Sequence, residues 1–243
     1  MFLAQDKLRG KRIVVLGGTS GIGFAVARLV LYAGASVIVS SSNQGRVDAA
    51  VKRLLDLGTG QPVEGRVCDI KSGENAVKAF FEALPEFDHL VYTAGDSGIP
   101  LGYPDVDLTN ISDAFAVRTM GPIYAGKYAP ARMPKTASSS ITFTSGVASR
   151  KPPKGWALPA AIIGATERFT KGLAVQVAPI RANIVSPGLV ITELLDKQPA
   201  EQMNAIIAHQ TKALPVQHVA DADERCAYVT GELLNVDGGA VLV

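Results

Sequence analysis

The segment Ile13-Val14-Val15-Leu16-Gly17-Gly18-Thr19-Ser20-Gly21-Ile22-Gly23 constrains the fold of this chain more than any other. Its four leading residues form a continuously apolar run, which suits a parallel strand covered on both faces. Three glycines then lead into Ile22 to Tyr32, where apolar positions return at helical spacing and Gly34 is a C-terminal stop. A glycine-rich turn between strand and helix lets the backbone approach a pyrophosphate, whose charge the helix N-terminus favours. Gly17, Thr19, Ser20, Gly21, Ile22 and Gly23 are therefore the residues expected to hold a dinucleotide.

The alternation continues downstream. Ser36 to Ser40 reads as a strand, Val47 to Leu57 as a helix ending near Gly58, and Val63 to Cys68 as a strand closed by Asp69-Ile70. Asn75 to Leu84 is a helix, and His89-Leu90-Val91-Tyr92 a strand running into Thr93-Ala94-Gly95. Residues 109–133 read as one long helix, bent where Gly121-Pro122 interrupts it. Ser140 to Thr144 is a strand, Leu158 to Val177 a helix and Arg181 to Val185 a strand, with Leu233-Leu234-Asn235-Val236 as the seventh. The pattern predicts a Rossmann-like α/β fold: a doubly wound, parallel, seven-stranded sheet with helices on both faces, spanning residues 1–243 as a single domain. Residues 189–216 add helical turns beyond a strand's carboxyl end, where such folds bind ligands, and are expected to form a substrate lid. Between Val219 and Tyr228 only a very short helix fits.

Composition excludes several functions. A net charge of +2 gives no reason to expect nucleic acid or membrane as a partner. Met1 to Lys7 holds too short an apolar piece for a signal peptide, and no stretch approaches the roughly 20 apolar residues of a membrane span, so a cytoplasmic location is expected. Cys68 and Cys226 are read as two reduced thiols, and no His/Cys/Asp/Glu cluster has metal-ligand spacing.

Six motifs in order resemble the short-chain dehydrogenase/reductase family: Gly17 to Gly23, Asp69-Ile70, Thr93-Ala94-Gly95 in place of Asn-Ala-Gly, Ser145 after the fifth strand, Pro187-Gly188 followed by Thr192, and Asn235-Val236-Asp237-Gly238-Gly239. The resemblance implies a nicotinamide cofactor held additionally by Asp69 and Ile70 at the adenine, and by Ala94, Gly95, Pro187, Gly188, Val190 and Thr192 on the nicotinamide side. The end of the second strand, Ser40-Ser41-Ser42-Asn43-Gln44-Gly45-Arg46, lacks the carboxylate that holds ribose hydroxyls in NAD-selective proteins. Ser41, Ser42, Asn43 and Arg46 suit a 2′-phosphate better, which points to NADP(H); the alternative is that Arg46 simply opens a solvated helix.

The resemblance also implies a catalytic asparagine, serine, tyrosine and lysine. Thirteen residues beyond Ser145 stands Leu158, and four further Ile162; the register set by Leu173-Ala174 gives Pro159 and Ile163 instead. Both pairs are apolar, so the proton relay is missing. The asparagine position holds Arg118, read either as a substrate contact or as an arginine that fills the vacated lysine space and bonds carbonyls. Ser145 is expected to orient a substrate, or else to be a plain turn residue. Trp156 is read as a wall for an aromatic ligand or else a core or interface residue, His89 as structural, and His209 and His218, in or near the lid, as proton donors or else inert surface residues.

These departures are similar to those of atypical fungal members of the family, the reductase/Diels–Alderases of alkaloid pathways. They share the arginine within Val117–Gly121, Thr144-Ser145-Gly146 and Pro153-Lys154-Gly155-Trp156, with Pro153 replacing an Asp of those enzymes. The expected function is an NADP(H)-dependent reductase of a small hydrophobic metabolite bearing an imine, iminium or conjugated carbonyl, in secondary-metabolite biosynthesis. A non-redox cyclase or isomerase using the cofactor as pocket wall, and a cofactor-sensing binding protein, are the alternatives. A homodimer or homotetramer is implied by the resemblance.

Overall fold

The computed structural model describes residues 7–96, 100–193 and 200–222. Strand β1 (Arg12–Leu16) passes through the glycine turn into α1 (Gly21–Tyr32), and the unit repeats as β2 (Ser36–Ser41), α2 (Gln44–Leu55), β3 (Val63–Val67), α3 (Glu74–Glu82) and β4 (His89–Tyr92). Helices α4 (Ile111–Phe115) and α5 (Gly121–Tyr128) precede β5 (Ser140–Thr144), and α6 (Ala157–Gln176) precedes β6 (Arg181–Val185). The strands pair in parallel in the order β3-β2-β1-β4-β5-β6. From β1 the chain winds outward to β3 and returns on the other side at β4, so loops diverge at the carboxyl ends of β1 and β4. That divergence opens the crevice in which such sheets bind ligands. Among the described residues the sheet has six strands, where seven were expected; Leu233 to Val236 lies outside the described residues, as do Cys226 and the Asn235–Gly239 motif.

Alternate residues of each strand feed two cores, as the two-residue side-chain period requires. Ile13, Val15, Val37 and Val39 pack under Ala27, Leu31, Ala50 and Leu54 of α1 and α2. Val14, Leu16, Leu90, Tyr92, Ile141 and Phe143 pack on the other face with Val77, Phe81, Ala125 and Leu173. Burial on both faces is why the strands read as unbroken apolar runs. Cys68 lies in the second core, where burial and the neighbouring Asp69 push its thiol up to about 12, so it is inert at neutral pH.

The bend expected at Gly121-Pro122 takes another form. Between α4 and α5 the chain makes a wide π turn over Ala116–Met120, with the Gly121 N–H reaching back to the Ala116 carbonyl. Pro122 has no N–H to offer the carbonyls four and five residues before it, Arg118 and Val117. Tyr92 Oη donates to Val117 O at 2.5 Å, and Thr166 Oγ1 of α6 donates to Arg118 O at 2.7 Å. The proline thus sets the wide turn just ahead of itself, and two neighbouring elements satisfy what it orphans. Burial holds the Tyr92 phenol well above its ordinary value, which keeps it a donor.

Beyond β6, short strands β7 (Val190–Ile191) and β8 (Ala220–Asp221) pair and bring together the two ends of the segment that contains α7 (Ala200–Ala213). The extra helical turns expected over 189–216 are thereby present as one helix on a paired base. No helix among the described residues is long and apolar enough to cross a membrane.

Candidate functional site

The site begins where β1 ends. Gly17 adopts φ +84°, and a Cβ there would stand 2.5 Å from the Ala94 backbone nitrogen after β4. A Cβ on Gly23 would run into the Gly17 carbonyl and the Thr93 hydroxyl. Only glycine allows turn, helix and neighbouring strand end to meet this closely. Gly17 and Gly18 donate to Ser40 O at 2.9 and 3.1 Å, and Thr93 Oγ1 donates to Leu16 O and Gly17 O at 3.2 and 3.3 Å. Thr93 therefore braces the turn from the position of the family's asparagine. Ser20 is the residue before α1, with an extended backbone and a hydroxyl that makes no capping bond, and it is exposed beside Thr19 and Ile22.

Two further strand ends border this turn. After β2, Asn43 caps α2 by accepting the Arg46 N–H at 3.0 Å, while Arg46 Nη2 donates to Ser42 Oγ at 2.8 Å. Arg46 stands in the exposed first turn of α2 and turns its guanidinium back onto Ser42. After β3, the Asp69 carboxylate accepts the Lys71 N–H at 3.2 Å and the Ser72 hydroxyl at 3.0 Å, so it is partly engaged in shaping its own turn ahead of the buried Ile70.

On the opposite side, Gly95 lies beneath Arg118: a Cβ on Gly95 would be 2.6 Å from the guanidinium. Arg118 Nη2 donates to Asp96 O at 3.0 Å, and burial lowers the pKa of the group while Asp96 opposes that effect. Of the two readings of Arg118, the bond to a backbone carbonyl is present; its place against Gly95 puts it beside the expected nicotinamide contacts. The Asp96 carboxylate, which the sequence reading missed, pairs through Oδ2 with Lys71 at 2.7 Å and leaves Oδ1 buried with no hydrogen-bond partner.

Ser145 closes β5. Its N–H donates to Val185 O at 2.8 Å and the next turn is pinned by Val147 N–H to Pro187 O at 2.9 Å, so the β5 and Pro187-Gly188 loops are tied together. It is not a plain turn residue: its hydroxyl donates to Glu167 Oε1 at 2.8 Å. Glu167, one helical turn beyond Ile163, also receives Ser149 Oγ at 2.6 Å. The relay spacing points to 158–163 and so passes over Glu167; its signal in the sequence is a carboxylate on α6 eight residues past Pro159. Ile163 borders this turn, with its carbonyl 3.4 Å from Ser145 Oγ and its Cδ1 against Gly146, whereas the fully buried Ile162 takes Thr119 Oγ1 on its carbonyl at 2.9 Å. Ile163, of the second register, is thus the relay-position residue that borders Ser145.

The loop after β6 returns to the glycine turn. Thr192 lies 3.2 Å from the Cβ position of Gly21, and Glu193 Oε2 accepts the Gly21 N–H at 2.7 Å. Pro187, Gly188, Val190 and Thr192 thus share one loop, with Val190 in the β7–β8 pair. Among the other candidates, His89 Nδ1 is 2.9 Å from Ser140 Oγ and burial lowers its pKa, a structural role as expected. Trp156 leads into α6 and is 36% exposed, so it is not a core residue of this chain. No group of three or more potential metal ligands occurs among the described residues.

Comparison with known proteins agrees with this architecture. An SDR-like Rossmann domain model matches residues 4–242. The short-chain dehydrogenase/reductase ATR9 of Stachybotrys chlorohalonatus is 34% identical, aligned over 97% of this chain and 98% of its own. The short-chain dehydrogenase/reductase malC of Malbranchea aurantiaca is 30% identical over 98% and 97%. The solved structure of the MalC reductase/Diels–Alderase from that fungus superposes with a TM-score of 0.84, covering 91% of this chain and 89% of that one. A small-chain dehydrogenase solved in complex with NADPH is 32% identical with a TM-score of 0.71, over 96% and 100%. With sheet order, glycine turn and full-length match in agreement, this chain belongs to the short-chain dehydrogenase/reductase family.

Proposed function

We propose that this protein is an NADP(H)-dependent oxidoreductase that acts on a hydrophobic metabolite bearing an imine, iminium or conjugated carbonyl, in cytoplasmic secondary-metabolite biosynthesis. Two features support the reading: the glycine turn makes close backbone contacts that suit a dinucleotide, and the residues at both candidate relay registers, Leu158 with Ile162 and Pro159 with Ile163, are apolar.

The residues fit the cofactor. Gly17 and Gly23 let the turn, the start of α1 and the end of β4 close up, a geometry that suits backbone N–H groups converging on a pyrophosphate; Ser42 and Arg46 supply donors for a 2′-phosphate, and the Pro187–Thr192 loop and Gly95 are assigned to the nicotinamide side. NADPH, when bound, supplies hydride. Reduction of a neutral ketone also develops alkoxide charge, and a proton donor there is worth about 10²- to 10⁴-fold. An iminium is neutralised by hydride alone, so Arg118 and Ser145 need only position it. Fast NADPH oxidation by a dihydroisoquinolinium salt, with turnover at least about 100-fold slower for 2-tetralone, an unconjugated ketone of similar size, is the expected outcome; equal rates for both would sink the reading. The likeness to the MalC reductase/Diels–Alderase favours one alternative, a cyclase with redox or non-redox turnover, and product formed without NADPH consumption would support it.

Two variants test the cofactor assignment. Arg46→Ala should weaken NADPH at least about tenfold, roughly one charge-assisted hydrogen bond, and leave NADH unchanged in calorimetry. Glu193→Gln should tighten NADPH by about tenfold, because the carboxylate occupies a helix N-terminal N–H that the pyrophosphate needs and repels its charge. Unchanged affinity in Glu193→Gln would show that this carboxylate does not compete. The segment 189–216 is proposed as the substrate lid. A homodimer or homotetramer through the faces of 109–133 and 158–177 is proposed as well, and a light-scattering mass of one chain would overturn it.

A further inference from the structure

The hydroxyl of Ser145 has an unusual pair of partners. Glu167 Oε1 at 2.8 Å and Ile163 O at 3.4 Å are both acceptors, so the single Ser145 proton is committed to α6. The same carboxylate oxygen accepts Ser149 Oγ at 2.6 Å and lies 3.5 Å from Ser186 Oγ. Three serines from two loops, Ser145 and Ser149 between β5 and α6 and Ser186 after β6, thus converge on one oxygen. Ser145 itself is 8% exposed, so its orientation is set by this cluster rather than by solvent.

A hydroxyl that donates inward presents lone pairs outward. A carbonyl substrate needs a donor at this position, whereas a substrate with positive charge or an N–H at its reacting centre needs an acceptor. A carboxylate behind the hydroxyl polarises it further in that sense. We propose that Glu167 is a positioning and specificity-determining residue: by holding the Ser145 proton it makes Ser145 an acceptor, and so selects cationic C=N substrates over carbonyl substrates. This rests on the reading of the site as a reductase pocket and narrows its substrate class. Glu167 acts through Ser145. It is not itself placed against the reacting atoms.

The test uses the full chain and two isosteric probes, the permanently cationic N-methyldihydroisoquinolinium and neutral tetralone, titrated calorimetrically with and without NADP⁺. Wild type should bind the cation at least about tenfold more tightly than tetralone. Glu167→Gln should lose that preference with tetralone affinity unchanged or improved, since an amide can donate to Ser145 and free its proton. In a Ser145→Ala background, Glu167→Gln should have no further effect on either probe. Equal weakening of both probes by Glu167→Gln, an undiminished effect in the Ser145→Ala background, or no cation preference in wild type would each overturn the proposal. NADP⁺ affinity from the same titrations separates the two ideas. If NADP⁺ does not bind, the cofactor reading falls, while the probe titrations without it still decide the role of Glu167.

Discussion

Gly23→Ala is expected to reduce nicotinamide dinucleotide affinity by at least about 100-fold, which corresponds to roughly 2.7 kcal/mol. The new methyl would enter the space of the Gly17 carbonyl and the Thr93 hydroxyl, both fixed by other bonds. Neither neighbour is the far end of a flexible side chain, so the N-terminus of α1 must move away from the turn. Helix N–H groups and glycine backbone would then no longer converge on one pyrophosphate. Overpacking of this kind costs about 1 to 3 kcal/mol of stability, so the variant should still fold. Calorimetric titration with NADPH and NADP⁺, alongside denaturant unfolding, checks both parts. Retained affinity would show that the turn is not the binding site.

Gly121→Ala should be the most destabilising single substitution in the described helices. A Cβ there would collide with the Tyr92 hydroxyl, which would have to abandon the Val117 carbonyl. Overpacking at about 1 to 3 kcal/mol and an orphaned buried carbonyl at about 1 to 3 kcal/mol add to a loss of about 2 to 6 kcal/mol, a large share of the roughly 5 to 15 kcal/mol of an ordinary domain. Adding Tyr92→Phe makes room for the methyl but leaves the carbonyl unpaired. The double variant should therefore be more stable than Gly121→Ala, by about 1 kcal/mol or more, and less stable than wild type. Chemical denaturation of the four proteins measures this. Additive losses would refute the packing account. Because Arg118 is carried by the same wide turn, its contact with Gly95 and Asp96 should be lost together with the stability.

The strand–helix order was legible because the strands are covered on both faces: Ile13 to Leu16 and Ser36 to Ser40 cannot alternate polar and apolar residues if neither face meets water. The glycine turn was legible because the demand for close approach falls on residues adjacent in sequence. Helix ends shifted by a few residues, as at α2, where Asn43 caps earlier than the apolar pattern begins. The π turn was less legible. Pro122 announces an irregularity, but which carbonyls it orphans, and that Tyr92 and Thr166 satisfy them, depends on elements 25 and 48 positions away.

The candidate site divides in the same way. Sequence alone determined the glycine turn after the first strand, the lack of a carboxylate from Ser40 to Arg46 and the apolar character of Leu158, Pro159, Ile162 and Ile163, since each is a matter of residue type at fixed spacing. Only the tertiary structure brought Glu193 onto the Gly21 N–H across 172 positions, laid Arg118 over Gly95, and gathered Ser145, Ser149 and Ser186 around Glu167. The physical reason is that a carboxylate or guanidinium takes its role from the donors and acceptors the fold brings within about 3 Å, a distance sequence spacing does not encode.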